Sequence, residues 1–151
     1  MKLPISWIKK YIDLTLTPNE LSHQLTMVGL EVAEINEIGA NWDEDTLIVG
    51  LIKSIETHPN ADKLKLVSVS LSETETQKVV CGAPNVEVGQ KIIFAKEGAT
   101  LFNARNQKVE PLKVAKIRGV ESNGMVCSEL ELQLSNEHEG ILVLPESTPI
   151  G

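Results

Sequence analysis

Short runs of β-favouring residues, separated by turn-forming residues, recur along most of the chain. The runs cover residues 47–56, 63–72, 77–81, 91–95, 113–120 with 124–127, and 141–144. The turns between them include His58-Pro-Asn-Ala-Asp62, Gly82-Ala-Pro-Asn85, Glu97-Gly-Ala99 and residues 103–107. No long amphipathic helix separates these runs. The pattern therefore argues against alternating βαβ units and favours an antiparallel barrel or sandwich.

A mainly β fold of one particular kind suits these strands. Five or six strands within about 110 residues fit a five-stranded Greek-key barrel of the oligonucleotide-binding type. An immunoglobulin-like sandwich remains an alternative, although the Cys…Trp…Cys order typical of that fold is missing. The whole chain has 151 residues, which suits one domain with a small appendage.

The first forty residues predict a small α/β appendage to the barrel. Thr17-Pro-Asn-Glu20 combines a capping oxygen, an early proline and a glutamate three residues after the cap, and Gly29 supplies a stop, which predicts a helix over 18–28. The apolar spacing predicts a shorter helix before it and an extended strand over 30–38. We place the domain boundary in the acidic turn that follows, which gives domains 1–40 and 41–151.

Other features of the composition limit the class of protein. No apolar run reaches the length of about 18 residues that a membrane span requires, and the N-terminus lacks the cleavage site of a signal peptide. Two cysteines 46 positions apart make neither a disulfide framework nor a metal site. We therefore expect a cytoplasmic protein without a membrane partner.

The charge distribution is uneven. The formal net charge is −7, which counts against nucleic acid as a partner. Residues 101–120, however, carry five bases and one acid, whereas residues 121–151 carry six acids and no base. This basic stretch could be an ordinary solvated strand face or a contact surface for polyanions.

The segment 113–128 is the best candidate for that contact surface. Lys116 and Arg118 are two residues apart, so on a strand they would share a face. The predicted turn at 121–123 is flanked by glycines, and Ser122, Asn123 and Ser128 offer donors suited to phosphates and ribose hydroxyls. The alternative interpretation is a strand-loop-strand corner with ordinary turn residues.

Catalytic patterns are scarce in this sequence. There is no Gly-x-Ser-x-Gly, phosphate-binding glycine loop or His-Glu-x-x-His. The three histidines are far apart, and Cys81 and Cys127 both follow β-branched residues at strand ends, where buried reduced thiols are expected. We expect no reaction from this chain alone, and no metal or other cofactor within it.

Three motifs resemble the tRNA-binding domain shared by several synthetase-associated proteins. They are His58-Pro-Asn-Ala-Asp-Lys-Leu64, Cys81-Gly-Ala-Pro-Asn85 and Lys116-Ile-Arg-Gly-Val-Glu-Ser-Asn-Gly-Met125. The opening Ser6-Trp-Ile and Gln24–Val32, together with the tail Cys127-Ser-Glu and 135–144, resemble the start of the bacterial phenylalanyl-tRNA synthetase β subunit. This resemblance covers essentially the whole chain.

The resemblance implies that the chain is a non-catalytic part of a longer subunit. Its implied partners are tRNA, the rest of the β subunit and the α subunit. ATP and magnesium would serve the parent enzyme through the α subunit. It also implies that residues 1–39 are half of a domain completed elsewhere, so we expect this piece to be mobile or to pack on the barrel or a second copy.

The motif positions and the basic stretch together give eight candidate RNA-binding residues. They are Lys63, Lys113, Lys116, Arg118, Ser122, Asn123, Met125 and Ser128. The leading hypothesis is an accessory tRNA-binding domain of phenylalanine–tRNA ligase with weak contacts to RNA. The alternative is an architectural module of the synthetase with little RNA affinity of its own.

Overall fold

A computed structural model of the protein describes residues 3–39 and 42–151. The chain forms two compact units, Met1–Glu37 and Ile38–Gly151. The boundary expected between residues 40 and 41 lies outside the described residues.

Over residues 3–37 the first unit contains two helices, α1 (Ile5–Ile8) and α2 (Pro18–Met27). Thr17 caps α2: its hydroxyl accepts a hydrogen bond from the Glu20 backbone N–H, and the Glu20 carboxylate accepts one from the Thr17 N–H. The Thr17 N–H and the Thr17 hydroxyl both donate to this carboxylate, and these two bonds hold the pKa of Glu20 below its usual value. Gly29, with a φ of 89°, ends the helix as the sequence predicts.

The strand predicted over residues 30–38 is wrong. These residues follow α2 in an irregular path and pair with no strand in the described part of the chain. Their apolar residues alone could not form a strand, because a strand needs a neighbour for its backbone hydrogen bonds. The appendage is therefore helical and irregular rather than α/β.

The described residues of the second unit form ten strands. In chain order they are β1 (Leu47–Thr57), β2 (Lys65–Ser70), β3 (Thr76–Cys81), β4 (Lys91–Ala95), β5 (Thr100–Asn103), β6 (Lys108–Pro111), β7 (Ala115–Ile117), β8 (Val120–Ser122), β9 (Met125–Val126) and β10 (Val143–Leu144).

These strands form a nearly closed antiparallel barrel. The hydrogen-bonded order β4-β1-β2-β3 is that of a Greek key. The β8–β9 stretch is the fifth strand: β9 pairs with β4, and the Val80 N–H of β3 donates a hydrogen bond to the Ser122 hydroxyl of β8 at 3.1 Å. The predicted five-stranded Greek-key barrel is confirmed, and the sandwich alternative is wrong because the strands do not form two facing sheets.

The long strand β1 shapes the barrel. Its first half pairs with β4 and its second half with β2, and the register shifts between Ile52 and Ser54. Such a bulge bends a strand, so β1 can contribute to both sides of the barrel. Inside, the side chains of Val67, Val69 and Phe94 are fully buried.

The sequence does not predict the hairpin of β5 and β6. It predicts the turn at residues 103–107, but not the four-residue strands on either side of that turn. This hairpin forms a separate two-stranded sheet. Leu101 of β5 packs in a buried cluster with Ala99 and Cys127.

Candidate nucleic-acid interface

The β7–β8 hairpin carries two of the candidate cations. Ile117 pairs with Val120, so the hairpin turns through only two residues, Arg118 and Gly119. Both have positive φ, 49° and 95°, as the type I′ hairpin turn requires. The predicted turn at 121–123 is therefore wrong at its first two residues, which lie in β8, and Arg118 lies in the turn rather than sharing a strand face with Lys116.

The loop between β1 and β2, residues 58–64, carries Lys63. The loop is closed by a 3.1 Å hydrogen bond from the His58 N–H to the Leu64 carbonyl, and within it the Leu64 N–H donates to the Ala61 carbonyl at 3.3 Å. A compact loop of this kind can present an exposed side chain from a defined backbone. Lys63 is exposed on it.

Side chains of this loop hold the β7–β8 turn. The His58 ring is buried, with 5% of its surface exposed, and its Nε2 donates to the Ile117 carbonyl at 3.2 Å. Its Nδ1 accepts from the Asn60 N–H at 3.1 Å, which leaves Nε2 as the donor to the carbonyl. The Asn60 Nδ2 donates to the Arg118 carbonyl at 3.0 Å. The two turns are therefore in direct contact.

We call Lys63, Lys116 and Arg118 the tip cations. All three side chains are exposed. Within residues 3–39 and 42–151, the two ion pairs closer than 4.0 Å are Lys78–Glu56 and Lys96–Glu75, and neither uses a tip cation.

Two carboxylates accompany the tip cations. Asp62 precedes Lys63 in the loop, and Glu121 lies opposite Lys116 in the hairpin register. The local balance is three positive charges to two negative charges. Salt screens exposed charges beyond about 10 Å at 0.1 M, so these neighbours affect the tip more than the distant acidic residues do.

Lys113 and Met125 lie beside the β5–β6 hairpin and not with the tip cations. Both line a groove of about 590 Å³ along the β5–β6 hairpin, together with Phe102, Arg105 and Glu110. The groove does not include a tip cation. A hydrogen bond from the Asn103 side chain lowers the pKa of Glu110, and one from the Asn106 side chain lowers it further. Lys113 adds a smaller electrostatic effect in the same direction.

The two candidate serines are buried. Ser122 and Ser128 are 4% and 5% exposed. The Ser122 hydroxyl donates to the Gly124 carbonyl while it accepts from β3, and both the N–H and the hydroxyl of Ser128 donate to the Glu131 carboxylate. The expectation that these hydroxyls lie on the RNA-facing surface is therefore corrected. Asn123, between them in sequence, is exposed.

The described residues contain no group of three or more His, Cys, Asp and Glu side chains arranged to hold a metal ion. Cys81 and Cys127 are buried and unlinked, as predicted. Burial raises the pKa of both thiols. Neither thiol has the exposed, electropositive surroundings of a reactive cysteine.

The sequence profile of a family described as "Putative tRNA binding domain" matches residues 47–151. The chain belongs to this tRNA-binding domain family. The match covers the barrel, and the resemblance seen in the three motifs is confirmed.

The whole chain is also similar to part of two larger proteins. The chain is 47% identical over all of its residues to the phenylalanine–tRNA ligase β subunit of Dehalococcoides mccartyi, and 43% identical to that of Ralstonia nicotianae. It spans 18% of the length of each of these relatives. The predicted resemblance to this subunit is thus confirmed for the region that the chain covers.

A solved structure also aligns with this tRNA-binding domain. A MetRS-related protein from Pyrococcus horikoshii is 25% identical, and the alignment covers 73% of this chain and 94% of that chain with a TM-score of 0.49.

The motifs of the tRNA-binding domain mostly join distant parts of the barrel. His58 and Asn60, from the first motif, bond to the backbone of the third. The Asn85 side chain, from the second, donates to the Ile141 carbonyl and accepts from the Ile141 N–H, both at 2.9 Å. Sequence reasoning treated His58 as an ordinary loop residue and did not foresee either link. The sequence feature that could have indicated these links is the presence of short polar side chains, such as those of Asn60 and Asn85, within the motifs.

Proposed function

We propose that the tip cations give this domain weak, salt-dependent contacts with the phosphates of folded tRNA. The observation that carries the proposal is that two separate motifs place Lys63 and Arg118 on a loop and a turn in direct contact, with the exposed Lys116 in the adjoining strand β7. Phosphate contacts of this kind position RNA without reading its sequence. We further propose that the domain works within a phenylalanine–tRNA ligase, the enzyme that attaches phenylalanine to its tRNA using ATP.

The number of cations limits the strength of this contact. Each neutralised phosphate contributes about −0.7 to −0.9 to the slope of log affinity against log salt concentration. Three tip cations would therefore give a slope of about −2 to −3. The net charge of −7 opposes tighter binding.

Within the described residues, the second unit has one exposed aromatic side chain, that of Trp42, and this shortage favours folded RNA over single strands. Phe94 is fully buried, and Phe102 is partly buried in the groove beside the β5–β6 hairpin. Binding of single strands usually depends on several aromatic side chains that stack on bases. A folded tRNA can instead be recognised through its backbone and shape.

Filter binding of folded tRNA at several salt concentrations tests the proposal. The variant Lys116→Ala/Arg118→Ala should lower the affinity and reduce the slope by about 2. Lys53→Ala/Lys108→Ala is the matched control, since it removes the same charge from exposed lysines of strands β1 and β6 that take part in neither ion pair. If the two double variants behave alike, or if affinity does not depend on salt, the tip cations do not bind RNA.

The cofactors and remaining partners of the ligase are part of the same proposal. We propose that ATP and magnesium act in the α subunit, and that the cytoplasm is the site of function. None of the helices in the described ranges has the length and apolar composition of a membrane span.

A second candidate function is architectural. Large apolar side chains of the first unit are exposed, among them Trp7, Tyr11 and Met27, with 56–77% of their surface accessible. Such a surface favours association with another protein surface. This candidate predicts that the chain co-sediments with the rest of the β subunit or with the α subunit, and that it shows no measurable affinity for tRNA. Absence of association with either would remove it.

A further inference from the structure

We propose that His58 and Asn60 are positioning residues for RNA contact, because they hold the loop that carries Lys63 against the turn that carries Arg118. The inference rests on the proposed function of the tip cations. Neither residue needs to touch RNA. Their role is to keep the cations on one surface before RNA arrives.

The His58 ring is suited to this role by its burial and its two bonds. One ring nitrogen accepts from its own loop and the other donates to the Ile117 carbonyl, 59 residues away in the sequence. A buried polar group is costly unless both of its polar atoms are bonded. The ring is therefore stable in this place only while the loop and the hairpin remain in contact.

Asn60 adds a second link at the turn itself. Its side-chain amide donates to the Arg118 carbonyl, and a Cβ built on Gly119 would lie 3.4 Å from the same amide nitrogen. The Asn60 amide thus lies in contact with this side of the turn. Arg118 holds a left-handed backbone conformation that non-glycine residues rarely adopt, and such conformations persist when the surroundings hold them.

A rigid arrangement matters because a weak site depends on simultaneous contacts. If the loop and the turn move independently, ordering them on RNA costs conformational entropy, and fewer phosphates are neutralised together. Loss of the links should therefore change the salt slope, although every cation remains.

The slope separates positioning from simple stabilisation. Partial unfolding lowers the concentration of competent protein by a factor that multiplies the affinity at every salt concentration. It leaves the slope of log affinity against log salt nearly unchanged. A loss of simultaneous phosphate contacts reduces the slope itself.

The test compares variants of the full chain that keep all cations. His58→Asn retains an acceptor for the residue 60 N–H but is too short to reach the Ile117 carbonyl, whereas the longer side chain of His58→Gln can supply the distant donor. Asn60→Ala removes the second link. We expect His58→Asn and Asn60→Ala to reduce the slope for folded tRNA by about 1 and the affinity at 0.1 M salt by about five- to tenfold. His58→Gln should restore much of the slope.

The variant Lys116→Ala/Arg118→Ala, measured in parallel, separates this inference from the proposed function. If that variant loses salt-dependent binding while His58→Asn and Asn60→Ala keep the wild-type slope, the positioning role is overturned and the RNA surface stands. If the cation variant itself binds like the wild type, the proposed function fails. Circular dichroism verifies folding, and a slope that falls equally in His58→Gln and His58→Asn would also contradict the proposal.

Discussion

Arg118 occupies a turn position where arginine is unfavourable. The first central residue of a type I′ turn needs positive φ, for which asparagine or glycine is preferred. For a residue with a Cβ, the left-handed conformation costs roughly 1–2 kcal/mol, and asparagine tolerates it better. We therefore predict that Arg118→Asn raises the free energy of unfolding of the barrel by about 0.5–1 kcal/mol, which is about 2–6 °C in Tm for a domain of this size.

The same substitution should weaken RNA binding. It removes one tip cation and leaves in place the backbone carbonyl that accepts the Asn60 hydrogen bond. At 0.1 M salt one phosphate contact contributes about 0.7–0.9 log units through counterion release, which is a factor of about five to eight in affinity. A more stable protein with lower affinity is the expected result if Arg118 serves RNA contact rather than the fold.

Urea denaturation followed by circular dichroism measures the first effect, and filter binding of folded tRNA measures the second. Gln107→Asn is the matched control, because Gln107 also has a positive φ, 55°, in the turn of the β5–β6 hairpin but carries no charge. It should stabilise the protein similarly and leave the affinity unchanged. A destabilised Arg118→Asn variant, or an unchanged affinity, would refute the reasoning.

Three further predictions concern the barrel. In Gly124→Ala the new Cβ would lie 2.5 Å from a core phenylalanine ring, at a residue whose φ is 137°. We therefore expect the free energy of unfolding, measured by urea denaturation, to fall by about 2–4 kcal/mol. Gly89→Ala, where the space is open, should lower it by about 1 kcal/mol. Equal losses would contradict this. Asn85→Ala removes two hydrogen bonds and should cost about 1–3 kcal/mol in the same assay, and no loss would show that they add nothing. Because burial raises the pKa of Cys81 and Cys127, both thiols stay protonated at mildly alkaline pH, and iodoacetamide should label them only in urea; rapid native labelling would disprove this.

The strands of the barrel could be predicted because each is a run of β-favouring residues between turn residues. The β1 and β4 runs, for example, match the observed strands within one residue. The β5–β6 hairpin could not be found in the same way, because four-residue strands contain too few alternations to show a period. The irregular path of residues 30–38 was mispredicted because the absence of a pairing partner is not visible in local sequence.

The sequence predicts the cations of the candidate site, but not how they are arranged. The basic stretch identified Lys116 and Arg118, but their relation depends on the register of β7 with β8, and the two-residue turn moved Arg118 off the strand. Ser122 was misjudged because its partner, the Val80 N–H, is 42 residues away. Contacts across such separations depend on barrel closure, which a single sequence does not specify.

The acidic character of the chain leads to a final prediction, which asks whether RNA affinity depends on the charges next to the tip cations or on the total charge of the protein. Glu121 lies opposite Lys116, whereas Glu73 is exposed in the loop that follows β2, at the end of that strand opposite the loop that carries Lys63. Six residues of strand span about 20 Å, about two Debye lengths at 0.1 M salt.

Glu121→Gln and Glu73→Gln change the net charge equally. If a local surface binds RNA, Glu121→Gln should raise the affinity for folded tRNA by about 1.5- to fivefold at 0.1 M salt, the effect of an exposed charge pair, and Glu73→Gln should change it little. Filter binding of both variants at that salt concentration decides between the two cases. Equal increases would mean that RNA responds to the total charge of the protein, and that the contact between the two turns gives the tip cations no special role.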